Sequence, residues 1–157
     1  MDATDLIKQW IEIAKEGEVS KVVARRSFFQ FIACWVAFNA FYTRAYAKRT
    51  DREGVTAAGN DSKLLALHQS LLQGDAEYGS AVRFFKSPVL SMKDMQSTAV
   101  VVDEAKWSEV VACAYLVRNN LVHGNKSIDS LRDLECVKNA FEVVTKMLDA
   151  IVRAGLL

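Results

Sequence analysis

Phe28-Phe-Gln-Phe-Ile-Ala-Cys-Trp-Val-Ala-Phe-Asn-Ala-Phe-Tyr42 is apolar on nearly every side, interrupted only by Gln30 and Asn39. A membrane span needs about 20 apolar residues, and this run is shorter. It therefore reads as a buried helix, the central element of a bundle. The helix around it is expected from Ser20, which can cap it, to Arg49, because no proline intervenes. One stripe runs Phe28, Ile32, Trp35, Asn39, Tyr42, Tyr46, while Ala33, Ala37 and Ala40 are small enough to let a neighbouring helix approach closely. Asn39 is the anomaly, since a buried amide without partners costs about 1–3 kcal/mol. It is expected to hold a backbone turn; the alternative is an amide reaching solvent at a kink. Arg25, Arg26, Arg44, Lys48, Arg49 and Arg52 bracket the apolar run. They fit either a surface that tracks phosphates or the solvated ends of a buried helix.

Outward from this element the chain reads as more helix. Acidic caps between Asp2 and Asp5 open a first amphipathic helix with Leu6, Ile7, Trp10, Ile11 and Ala14 on one face, and Gly17 ends it. Thr50 to Asn60, polar and carrying two glycines, reads as a loop. Asp61 or Ser62 then caps a leucine-rich helix to Gly74, with His68 on or beside the leucine face, where a structural role outweighs a ligand's. Asp75 to Lys86 forms another helix before Pro88. In Val89 to Val102, Ser91 to Gln96 suits a helical turn, and Thr98 to Val102 has strand propensity without an evident partner, so a loop is expected. Asp103 caps a fifth helix with Trp107, Val110, Val111, Ala114, Tyr115 and Val117 on its apolar face, stopped by Gly124. Ser127 or Ser130 caps the last helix, whose Leu134, Val137, Phe141, Val144, Leu148 and Ile151 form an antiparallel packing seam. The expectation is an all-α antiparallel bundle of about five to six helices, one domain over 1–157.

Composition agrees. Apolar residues make up 51% and charged residues 25%, which is globular, and one proline with seven glycines leaves little room for many-turned β architecture. A net charge of +1 excludes a generic polyanion binder, so any nucleic-acid contact must come from a local patch. Cys34, Cys113 and Cys136 are an odd, widely spaced set in apolar runs, which suits buried reduced thiols. Met1-Asp-Ala-Thr-Asp-Leu opens acidic rather than as a signal peptide. A cytoplasmic protein without a membrane span is expected.

The polar cluster at Arg118-Asn-Asn-Leu-Val-His-Gly-Asn-Lys126 ends an otherwise apolar helix. There is no Gly-rich phosphate loop, no Cys-x-x-Cys, no His-Glu-x-x-His and no Gly-x-Ser-x-Gly; two histidines cannot build a usual zinc site. What remains is Arg118 and His123. Five residues are about 140° of helix rotation, so both reach one substrate only if the helix ends between them or two copies meet. A neutral imidazole exchanges protons near neutral pH, and arginine suits a phosphate gaining charge in a transition state. Together they suit metal-free RNA cleavage. Alternatively, Arg118, Asn119 and Asn120 satisfy carbonyls at a buried helix end, with His123 stacked on an aromatic such as Trp35.

Trp35-Val-Ala-Phe-Asn-Ala-Phe-Tyr42, followed far downstream by Tyr115-Leu-Val-Arg-Asn-Asn-Leu-Val-His-Gly-Asn-Lys126, resembles the HEPN superfamily and its Apea-like and related prokaryotic branches. That family's motif is Arg, a polar residue often Asn, three further residues, then His; Arg118, Asn119 and His123 match it. The resemblance implies an all-α bundle, a homodimer joined through the motif-bearing helices, and a composite site in the dimer cleft. Many members are metal-independent endoribonucleases of toxin–antitoxin, abortive-infection or antiviral systems. Others are non-catalytic modules that bind a nucleotide or a partner protein through the same cleft. Carried over, the resemblance implies Arg118, His123 and Asn119 as catalytic; Asn120, Lys126 and Asn39 are expected beside them in substrate-binding or supporting roles, Asn39 bracing the turn and Lys126 touching phosphate. It implies RNA as substrate, no metal or cofactor, and a possible antitoxin or regulatory protein partner.

Overall fold

A computed structural model describes residues 3–16, 23–91, 96–122 and 131–157. The apolar stretch lies in α2, Val23–Tyr46, which packs between α1, Ala3–Glu16, and α7, Leu131–Arg153. Around them stand α3, Asp51–Gly59; α4, Ser62–Gly74; α5, Ala76–Phe84; and α6, Trp107–Val122. The architecture is the expected all-α bundle. Phe31, Cys34, Trp35, Phe38 and Tyr42 of α2 are buried, and the Phe38 ring meets Tyr42 and Trp107 edge-on, with centroids 5.3 and 6.4 Å apart. Ala33 and Ala37 are also buried, as close helix approach requires. The Cys34 sulfur lies 3.1 Å from the Thr145 hydroxyl of α7.

In α1, Ile7, Ile11 and Ala14 are buried; the Leu6 and Trp10 side chains, Gly17, Ser20 and the Arg25 side chain lie outside the described residues. The seam of α7 buries Val137, Val144, Leu148 and Ile151, with Leu134 and Phe141 partly covered. Cys34, Cys113 and Cys136 are buried free thiols, and burial pushes Cys34 and Cys113 up to about 12. No described helix is long and apolar enough to cross a membrane.

Four local expectations are corrected. The second helix ends at Tyr46 rather than Arg49: Ala47 turns into the left-handed region at φ 47°, its N–H still bonded to the Thr43 carbonyl at 3.0 Å. The stretch Thr50 to Asn60, read as a loop, is helix α3. Thr50-Asp-Arg-Glu53 forms a capping box, with the Thr50 hydroxyl accepting from the Glu53 N–H and the Glu53 carboxylate accepting from the Thr50 N–H, each at 3.2 Å. Its glycines serve close packing rather than turns, because a Cβ on Gly54 would sit 2.5 Å from the Tyr42 ring.

The third correction concerns β2, Thr98–Ala99, which has a partner. It pairs antiparallel with β1, Val89–Leu90, in the register Val89↔Ala99 and Leu90↔Thr98. A Val101 N–H to Phe85 carbonyl bond of 2.8 Å ties the pair to the end of α5. The expected helical turn over Ser91 to Gln96 falls mostly on 92–95, outside the described residues. Fourth, Asp103 does not cap α6. Its carboxylate accepts from the Ala105 N–H at 3.0 Å in a turn that precedes the helix, and the Glu109 carboxylate reaches back to the Val102 and Asp103 N–H groups at 2.8 and 2.9 Å. Gly124, Ser127 and Ser130 lie outside the described residues.

Candidate functional site

Helix α6 lies against α3, its amino end fastened by an indole bond from Trp107 to the Ala58 carbonyl at 3.1 Å. Gly59 makes this approach possible, since an added Cβ would lie 3.2 Å from the Ser108 backbone and from Val111. Arg118, three turns further along α6, therefore reaches the first residue of α3. Its Nη2 donates to the Asp51 carboxylate at 3.2 Å, and its Nη1 donates to the Asn119 side-chain oxygen at 2.9 Å. The second Asp51 oxygen accepts from the Asn39 amide at 2.8 Å, and the same amide donates to the Tyr42 hydroxyl. A chain of polar contacts thus crosses three helices, from Tyr42 and Asn39 on α2, through Asp51 on α3, to Arg118 and Asn119 on α6.

The Arg118 and Asp51 side chains remain 24% and 39% exposed, enough for a ligand to reach the pair. Burial, reinforced by the nearby Asp51 charge, pushes the Tyr42 hydroxyl up to about 12, although the Asn39 bond and the Arg118 charge favour its anion. Tyr42 is therefore a neutral phenol at physiological pH. The Trp35 indole N–H is buried close enough to favour that anion, yet makes no hydrogen bond of acceptable geometry.

Each expected site residue can now be located. Arg118 and Asn119 stand together. Among the described residues the Arg118 guanidinium engages side chains rather than helix-end carbonyls. Asn39 braces Asp51 and Tyr42 by side-chain contacts instead of the expected backbone turn, because its two N–H donors find acceptors on α3 and on its own helix. Asn120 is buried and turned away from this chain of contacts; its amide donates to the Leu90 carbonyl of β1 at 2.9 Å, a supporting position rather than a ligand-touching one. His123 and Lys126 lie outside the described residues. Asp51 was missed altogether. The available signal was the Thr50-x-x-Glu53 capping box, which puts Asp51 at the first helical position.

Two depressions adjoin these residues. A groove of about 510 Å³ runs between α3, α6 and the strand pair, with Tyr115 and Asn119 on one wall and Val55 and Asn60 on the other. A wider concavity of about 790 Å³ lies at the corner between α2 and α3, bounded by Lys48, Arg49 and Arg52. Among the described residues no group of three or more His, Cys, Asp or Glu side chains could hold a metal ion. No family model, curated protein or solved structure matches the chain.

Proposed function

We propose that this chain is a HEPN-type endoribonuclease that cleaves RNA without a metal ion, from a composite site shared by two copies. The reading includes a toxin or antiviral defence role in the cytoplasm, with an antitoxin or other regulatory protein as a possible partner. The observation that carries it is the Arg118 guanidinium, gripped by Asp51 and Asn119 beside an open groove. An arginine held from two sides has little rotamer freedom left to lose when a phosphate arrives, and its planar fork suits the oxygens of a phosphorane. In the proposed reaction the 2′-hydroxyl attacks the adjacent phosphorus as one His123 takes its proton, and His123 of the second copy protonates the departing 5′-oxygen. The 2′-O–P bond forms, the P–O5′ bond breaks, and a 2′,3′-cyclic phosphate and a 5′-hydroxyl result. Asn119 and Asp51 position Arg118, Asn39 steadies Asp51, Asn120 secures the adjoining strand, and Lys126 touches a phosphate.

The Asp51–Arg118 ion pair also favours a second reading. A guanidinium already matched by a carboxylate can hold a nucleotide or a partner protein without any bond being broken, as in a non-catalytic HEPN module. RNA cleavage in excess EDTA separates the two. The ribonuclease should leave 2′,3′-cyclic ends, with the rate falling by about a hundredfold or more in Arg118→Ala and His123→Ala. Asp51→Ala, which frees Arg118 without removing it, should cost roughly tenfold. Wild-type protein that is folded and dimeric yet leaves varied RNAs intact would favour the binding module.

A further inference from the structure

Resting on the RNA reading above and extending it, we propose that the substrate is single-stranded RNA whose backbone continues from Arg118 along the groove onto a second phosphate-binding surface formed by Lys48, Arg49 and Arg52. The backbone geometry creates this surface. Because α2 stops at Tyr46 and Ala47 adopts φ 47°, the chain doubles back into α3, and the three cations fall around one concavity of about 790 Å³.

Several other cations of the fold are matched by carboxylates: Lys15 with Asp149 at 2.9 Å, Lys86 with Glu104 at 2.6 Å, Lys146 with Asp75 at 2.7 Å. Among the described residues Lys48, Arg49 and Arg52 enter no ion pair, and all three are exposed. The carboxylate on the same concavity, Glu53, is fastened to the Thr50 N–H by the capping box. The surface therefore keeps an excess of positive charge.

This concavity is continuous with the groove. Arg52, Thr56 and Asn60 line both, so a strand can pass from one to the other without leaving the surface. Within the groove Tyr115 supplies an aromatic surface, and Asn60 and Asn119 supply amides that can bond base edges. A cationic track with an aromatic partway along it fits an unpaired strand. A duplex keeps its bases stacked inside and could use only the cations. With a net charge of +1 the whole molecule exerts no general pull on RNA, so the attraction must be local.

The test is binding of a short fluorescein-labelled single-stranded RNA carrying 2′-O-methyl groups, which cannot be cleaved by 2′-hydroxyl attack, across a salt series. Wild type is compared with Lys48→Gln/Arg49→Gln/Arg52→Gln and with a control, Lys8→Gln/Lys138→Gln/Arg153→Gln. The control removes the same number of charges from exposed sites outside both depressions. Circular dichroism and thermal melting confirm that both variants are folded. The first variant should bind at least about tenfold more weakly, with the slope of log K against log salt reduced by roughly 2, as expected for three lost contacts to a single strand. The control should keep the wild-type slope, and the same sequence annealed to its complement should bind more weakly than the single strand. A wild-type slope in the first variant, an equal change in the control, or equal affinity for duplex would overturn the proposal. Cleavage lost in Arg118→Ala together with an unchanged slope in the triple variant would remove the track and leave the enzyme. An absent cleavage activity with the slope lost would do the reverse.

Discussion

His68 occupies the most enclosed polar position among the described residues, at 0% exposure, and both of its ring nitrogens are engaged. Nε2 lies 2.7 Å from the Glu104 carbonyl, which can only accept, so Nε2 carries the hydrogen and Nδ1 accepts from the Tyr78 hydroxyl at 2.7 Å. Burial holds the imidazole below its usual pKa, with the Glu104 bond opposing the shift. The unfolded chain therefore binds the proton more readily than the folded one. His68 contributes stability that is complete above about pH 6.5 and is lost as pH falls through the lowered folded value. The depressed carboxylates Asp61, Asp75, Glu104 and Glu109 act below about pH 4.5, outside this window. Urea unfolding at pH 7.5 and 5 should show wild type losing stability, by at most about 2 kcal/mol. His68→Phe, though less stable throughout, should lose almost none, and parallel losses would refute the assignment. The structural role of His68 was legible from its place on a leucine face. Its partners were not, because Tyr78 and Glu104 come from α5 and from the turn before α6, a relation that only folding creates.

At the scale of elements, α3 carries the largest difference between expectation and structure. Two glycines and a polar composition suggested a loop, yet a capping box starts a helix whose Gly54 lets it lie directly on the Tyr42 ring. Propensity lost here to tertiary contact: a residue that weakens an isolated helix permits an approach that no larger residue allows. Gly54→Ala should force either the ring or the helix to move, lowering stability by about 1–3 kcal/mol. Because Asp51 rides on the same helix, the proposed RNA cleavage should fall with it. Gly74, also helical, has nothing within 4 Å of an added Cβ, so Gly74→Ala should be neutral or stabilising by up to about 1 kcal/mol. Urea midpoints for the two variants decide the matter; equal effects would mean that α3 has slack against Tyr42. The strand pair follows the same logic, since Thr98 and Ala99 could not be paired until the turn between α5 and Pro88 set Val89 and Leu90 beside them.

For the whole molecule the decisive question is association. Val122 and Leu131, at the end of α6 and the start of α7, are 54% and 79% exposed, large apolar side chains close in sequence to Arg118 and to the proposed catalytic His123. If two copies meet through this end, as the proposed composite site requires, sedimentation should find a dimer at micromolar concentration. Cleavage should then fall faster than linearly on dilution, and Val122→Glu with Leu131→Glu should weaken dimer and cleavage together. A monomer with undiminished activity per molecule would exclude the shared site.

The sequence by itself determined the helical class, the central position of α2, the seam of α7 and the buried state of the cysteines. These follow from the period and extent of apolar residues, which act along the chain. It also singled out Arg118 and Asn119 as polar residues at the end of an apolar helix. Only the tertiary structure decided that Asn39 and Asp51 join them, that Asn120 faces away toward Leu90, and that Lys48, Arg49 and Arg52 surround one concavity. Those relations depend on where the chain turns at Ala47 and on how closely α3 approaches its neighbours at Gly54 and Gly59. Hydrogen bonds and charge pairs act over a few ångströms, and distances that short between residues far apart in sequence are fixed by packing rather than by local pattern.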